Sequence, residues 1–376
     1  MMNYGVLFTS ALLLVALSAC SGNNKKEGSA SVNEKSKTSW TLNDFYKSDQ
    51  QLADYVDSIY HNLSASEKAA QMIMPATGKW GEPDSVIAGY IREKKIGSIL
   101  LLNGTVGQFK DQIALFDKVN SSLPLIYSAD GEPSLINRKI EGTPEVPKTS
   151  EITEVEECRK VAGTIAGALN DIGINYNFAP VCDLSTENAA IGNRSFGSNP
   201  DTAVMLASEY IKVMQQNGIV ATAKHFPGHG LVNGDSHHNA VFIKGEFKEL
   251  GVYPPLIDRG VVSIMVGHIS VEDNEYDTDQ LPSTLSKRIV SDLLKDSLDF
   301  QGITITDAMN MGAVKSIDNA SWQAVLAGND IILMPLNVDG LHGKIVKGLS
   351  GNTLLAGQLS ESIKKVVRLK VCLGLL

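Results

Sequence analysis

Four of the seven histidines in this 376-residue chain fall between positions 225 and 238, within Lys224-His225-Phe226-Pro227-Gly228-His229-Gly230 and Asp235-Ser236-His237-His238. Imidazoles grouped with a lysine and an aspartate suit acid–base work, metal ligation or a densely hydrogen-bonded loop. His225 and His229 have the i, i+4 spacing of a helical zinc pair, but Pro227, Gly228 and Gly230 oppose a helix there. A glycine-rich loop whose histidines only satisfy backbone groups is the plain alternative, yet so many desolvated polar groups call for a purpose. Acid–base chemistry is the preferred reading, with Asp235 orienting and charging His237 two residues on.

A second candidate stands alone. Asp307 ends the apolar run Gly302-Ile303-Thr304-Ile305-Thr306. A carboxylate directly after a buried strand needs either a cationic partner or a reaction to perform. Capping the next helix is the structural alternative. Set opposite His237, Asp307 becomes a candidate nucleophile with a matching acid. Glycoside hydrolysis uses such a pair: one group protonates the leaving oxygen while the other attacks the anomeric carbon.

The elements that would position these groups alternate regularly. Continuous Ile/Val/Leu-rich runs predict strands at 71–75, 96–103, 123–130, 174–183, 219–225, 262–268, 302–307 and 330–335. Helical periodicity lies between them, as at 86–95, 109–120, 155–171, 202–216 and 287–298. Eight strands alternating with helices predict an α/β fold, a single-domain (β/α)8 TIM-type barrel. An open doubly wound sheet is the alternative, but no G-x-G-x-x-G follows the first strand. Asp130, Asp183, Lys224, His225, His268 and Asp307 all fall at C-terminal ends of predicted strands, which in a barrel converge on one pocket.

On these residues the chain resembles glycoside hydrolase family 3, and within it the bacterial β-N-acetylglucosaminidases (β-hexosaminidases) of cell-wall recycling. Lys224–Gly230 with Asp235-Ser236-His237 is similar to that branch's signature, and Gly302–Met309 to the family's nucleophile segment. Asn193-Arg194-Ser195-Phe196-Gly197-Ser198-Asn199-Pro200 resembles its R-S-F-G-x-D-P stretch, and the tail from Arg368 its usual end. The resemblance implies Asp307 as nucleophile and His237, held by Asp235, as general acid and then base. It implies sugar contacts from Asp130, Arg138, Arg194, Lys224 and His225, and no cofactor or metal. The activity implied is a retaining exo-β-N-acetylglucosaminidase acting on peptidoglycan fragments. A phosphorylase or β-glucosidase of the same fold, or a non-catalytic glycan-binding lipoprotein, remains open. One segment departs: the family's Asp-x-Glu-Gly-Gly reads Asp130-Gly131-Glu132-Pro133-Ser134 here, so the sugar-binding loop is expected to run differently.

The first residues carry a separate signal. Gly5–Ala19 is apolar and too short to span a bilayer, and Leu17-Ser18-Ala19-Cys20 resembles a bacterial lipobox. Residues 1–20 are read as a lipoprotein leader with lipid on Cys20, 21–39 as a flexible polar tether, and 40–376 as the barrel. An exported, membrane-anchored protein, periplasm-facing on the outer membrane, is the expectation. A net charge of −9 with pI near 5.3 argues against a nucleic-acid partner. Cys158, Cys182 and Cys372 are an odd set at wide spacing and read as small buried residues, a bridge between two of them staying open.

Overall fold

The computed structural model describes residues 40–184, 187–351 and 353–376; the calls on residues 1–39, Cys20 included, lie outside them. Each apolar run becomes a strand buried on both faces. In chain order these are β1 (Ile73–Met74 and, beyond Pro75, Ala76–Thr77), β2 (Ser98–Leu101), β3 (Ile126–Ala129), β4 (Tyr176–Asn177), β5 (Val220–Phe226), β6 (Ser263–Val266), β7 (Ile303–Thr306) and β8 (Ile332–Leu333). Strands β1 to β7 pair in sequence order and in parallel. Ile305 bridges to Ile331, and β8 pairs with β1 through Ile73–Ile332 and Met74–Leu333. The sheet therefore closes on itself. It is the expected single-domain (β/α)8 barrel.

Helices follow the strands for the usual reason, an apolar stripe facing the sheet. In Val155–Ile172 the buried residues Cys158, Val161, Ala162, Ile165, Ala166 and Leu169 recur every three or four positions. Asn199 caps Pro200–Gln216 by accepting from Thr202 N–H, and Pro200 supplies the preset first turn. The helix after β6, Arg288–Ser297, has wide π-type turns. No helix among the described residues is long and apolar enough to cross a membrane. Cys158, Cys182 and Cys372 are free and buried, so the possible bridge is absent.

Most strands are shorter than the apolar runs, as at Ser98–Leu101, Ile126–Ala129 and Ile332–Leu333, and two boundaries have a local cause at a proline. β1 runs two residues further than the apolar run, to Thr77, because Pro75 only interrupts its ladder. β4 is much shorter than 174–183: Pro180 has no N–H to donate, and beyond Asn177 only Val181 bridges to β5.

Candidate active site

A bulge places two consecutive side chains of β5 in one pocket. Met265 of β6 pairs with Lys224 and Val266 with Phe226, leaving His225 as the extra residue. A regular strand would send Lys224 and His225 to opposite faces; the bulge lets both line the same cavity at the C-terminal end of the barrel. That cavity, of about 930 Å³, is also lined by Asp130, Arg138, Arg194, Asp235, His237 and Asp307. The eight catalytic and sugar-contact candidates thus meet in one place, while Asp183 and His268, also expected there, do not line it.

Each imidazole is held by a specific partner. His225 Nδ1 lies 2.7 Å from Asp183 Oδ2, and Asp183 Oδ1 accepts from His229 N–H at 2.7 Å. Asp183 is buried, which disfavours its charge, but His225, His229 and these hydrogen bonds keep its pKa below the usual value. Glu249, also buried, accepts N–H bonds from Leu184, Gly230 and Leu231 and so fixes the loop after β5. Gly228 sits against it at φ +133°, where a Cβ would lie 2.5 Å from that of Glu249. His268 Nε2 is 3.0 Å from the Ala308 carbonyl and so carries the proton; its Nδ1 then accepts from Thr284 Oγ1 at 2.8 Å. Burial lowers the pKa of His268.

Asp307 does not cap a helix, since the next helix begins at Ala320. Its Oδ1 accepts from Ala308 N–H at 2.8 Å. Burial works against its ionised form, yet His225, His268 and the Ala308 N–H more than offset this and lower its pKa. Asp235 Oδ1 lies 2.6 Å from His237 Nδ1 and accepts from His237 N–H at 2.9 Å. With Nδ1 engaged, Nε2 is the outward nitrogen of a half-exposed ring.

The His237 loop is pinned from below. Ser236 Oγ is 2.8 Å from His229 Nε2, and Gly312 N–H and Ala313 N–H donate to the carbonyls of His237 and Ser236. A Cβ on Gly312 would stand 2.4 Å from the His238 carbonyl oxygen. Gly312→Ala is therefore expected to displace His237 and lower turnover about tenfold or more while the melting temperature moves little. Steady-state kinetics beside thermal unfolding checks it.

One wall of the pocket is built on a residue absent from the candidate set. Glu132 is 1% exposed, accepts two hydrogen bonds from Arg194 at 2.8 Å each, and lies 2.6 Å from Lys224 Nζ. Burial alone would raise its pKa; Arg194 and Lys224 bring it down to about 2. Lys224 also reaches Asp130 at 3.2 Å, and Asp130, despite burial, is held well below the carboxylate range by Lys224 and Lys139. Lys139, not Arg138, is the second cation on Asp130, at 3.3 Å. Arg138 is exposed, and its side chain has no hydrogen bond or ion pair among the described residues. Trp80, 66% exposed on the pocket wall, was equally unmarked in the sequence. A buried counter-charge for Arg194 and Lys224 was the one available clue to Glu132.

Residues 64–369 match the family described as glycosyl hydrolase family 3 N terminal domain. The chain belongs to that family. It is 28% identical over 313 residues to a β-N-acetylglucosaminidase/β-glucosidase of Cellulomonas fimi, covering 78% of this chain and 55% of that one. It is 28% identical over 332 residues to the β-hexosaminidase LpqI of Mycobacterium tuberculosis, covering 82% and 83%. A solved family 3 β-N-acetylglucosaminidase from Paenibacillus sp. str. FPU-7 superposes with a TM-score of 0.74 at 26% identity, over 83% of this chain and 63% of that one. The family 3 chain described here thus spans little more than half of the Cellulomonas protein.

Proposed function

We propose that the protein is a retaining exo-β-N-acetylglucosaminidase that removes terminal β-linked N-acetylglucosamine. One observation carries this reading: an ionised Asp307 lines the same pocket as an imidazole, His237, braced by its own carboxylate, Asp235. Asp307 attacks the anomeric carbon and forms a covalent glycosyl-enzyme. His237 gives its Nε2 proton to the leaving oxygen, and Asp235 stabilises the imidazolium beforehand. Water, deprotonated by His237, then releases the sugar. Glu132 joins Arg194 to Lys224, and Lys224 in turn holds Asp130, so charged donors and acceptors stand ready for sugar hydroxyls. His225 keeps Nε2 for the substrate because Nδ1 is spent on Asp183; Arg138, unpaired among the described residues, lines the same pocket.

The relatives named for β-N-acetylglucosaminidase or β-hexosaminidase activity support the choice of sugar. Peptidoglycan fragments ending in that sugar are the proposed substrate pool. Incubation with an aryl β-N-acetylglucosaminide, with and without phosphate, tests the reading. Release of the sugar supports hydrolysis, a sugar phosphate would make it a phosphorylase, and no release would overturn it. His237→Ala is expected to cost about 100-fold or more on poor leaving groups and far less on activated aryl groups, which need no proton. Equal losses on both would remove His237 from the acid role.

The proposal extends to residues 1–39: a leader cleaved before Cys20, lipid on that thiol, and a tether holding the barrel at the periplasmic face of the outer membrane. The Leu17-Ser18-Ala19-Cys20 motif supports it. Labelled fatty acid should enter the wild type and not Cys20→Ser.

A further inference from the structure

The loop that carries His237 leaves the barrel after β5 and is anchored at both ends. Its far leg, Val241–Lys244, pairs with Ile269–Glu272 of the loop after β6. Its root is held by two buried carboxylates. Asp183 accepts from His229 N–H at 2.7 Å. Glu249 Oε1 accepts from Leu184 N–H at 2.7 Å and Gly230 N–H at 3.1 Å, and its Oε2 from Leu231 N–H at 3.0 Å. Glu249 thereby ties the root to the loop after β4. His229, next to Gly230, holds Ser236 Oγ through Nε2, and Ser236 adjoins His237. A shift at Gly230 is passed to the imidazole by that route.

The two carboxylates differ in their surroundings. Asp183 has His225 and His229 beside it. Glu249 forms no ion pair among the described residues, and burial and the Asp183 charge push its carboxyl up to about 7. Around it stand Lys244, paired with Glu272 at 3.2 Å, Glu246 and Lys248, which line a cavity with it, buried Tyr253, and His229, turned to Ser236. That cavity, of about 360 Å³, lies between the root, with Leu231 and Val232, and the far leg, with Phe242 and Ile243. The root therefore has room to move. Charge-assisted hydrogen bonds are about twice as strong as neutral ones, so a proton on Glu249 weakens all three ties at once.

We propose that Glu249 is a positioning residue for His237: as a carboxylate it ties the root of the loop to the loop after β4, and when protonated it lets the root move into the cavity and takes His237 out of line with the leaving oxygen. The assignment rests on the glycosidase reading above and adds a pH gate to its acid step. The gate is separate from Asp307, whose carboxyl stays below the usual range.

The test measures kcat/KM at pH 8 and pH 6, on either side of the Glu249 titration. One substrate is methyl β-N-acetylglucosaminide, a poor leaving group that needs the acid; the other is an activated aryl β-N-acetylglucosaminide that does not. Wild type is compared with Glu249→Gln, whose amide has no charge to lose. Any titration of His237 or Asp307 is common to both proteins and drops out. Between pH 8 and pH 6 the methyl-to-aryl ratio of wild type is expected to fall about tenfold relative to that of the variant, the scale of a small misplacement of the acid. Equal pH courses overturn the assignment. Amide hydrogen exchange over residues 228–240 reads the root without turnover, and decides the assignment if wild type cleaves neither compound, a result that fails the glycosidase reading alone. After correction for intrinsic rates, wild-type protection is expected to be lower at pH 6 than at pH 8, and equally low at both in Glu249→Gln. Equal wild-type protection at the two values overturns the assignment whether or not the variant folds.

Discussion

Asp307→Asn is expected to lower kcat on an aryl β-N-acetylglucosaminide by at least about 10⁴-fold while the protein stays folded. The side chain ends β7 in the pocket, and its hydrogen bond from Ala308 N–H is one that an amide oxygen also accepts. Little of the fold is therefore at stake. An amide cannot attack the anomeric carbon, so the loss falls on the covalent step and not on binding. Retained thermal unfolding, retained sugar affinity and absent turnover together would meet the prediction. Residual turnover within tenfold of wild type would assign the nucleophile elsewhere.

The second large effect concerns stability. Glu132→Gln removes a buried negative charge that faces Arg194 and Lys224, leaving two buried cations with Asp130 alone between them. A loss of about 3–5 kcal/mol is expected, as when one partner of a buried ion pair is deleted. Proton linkage gives a similar size. The Glu132 carboxyl titrates at about 2 in the fold against 4.5 ordinarily, which corresponds to about 3 kcal/mol. Because the folded value is the lower one, this contribution is complete above pH 4.5 and lost as the pH falls toward 2. Denaturant titrations from pH 7 downward should show that decline in wild type and a weaker one in Glu132→Gln. The variant should also bind sugar poorly, since the amide leaves Arg194 one oxygen acceptor in place of two and turns an N–H toward it.

The barrel was legible in the sequence because strands buried on both faces write themselves as unbroken apolar runs, and polar residues at their ends stand out. Asp307, Lys224 and His225 were found that way. Glu132 was not. A glutamate beside Pro133 reads as surface loop, and only the fold brings Lys224 and Arg194, distant in sequence, against it. The same holds for Glu249, whose three N–H bonds come from separate parts of the chain. Lys139 was missed for a subtler reason. It and Arg138 are adjacent cations on a short helical turn, Ile136–Lys139, and one residue's rotation decides which reaches Asp130. The bulge at His225 leaves no mark in the residue pattern, because it is a property of the ladder between β5 and β6.

The join between β1 and β8 has a consequence for how the chain must be made. Every candidate site residue, the last being Asp307, is synthesised before β8. Until Ile332 and Leu333 arrive, β1 and β7 each present a bare strand edge. The last helix, Thr353–Cys372, then fastens the start of the barrel, where Arg368 donates to the carbonyls of Asp44, Phe45 and Lys47. A nascent chain stalled before residue 330 therefore holds every candidate side chain and no closed pocket, with two bare edges of the kind that pair with other chains.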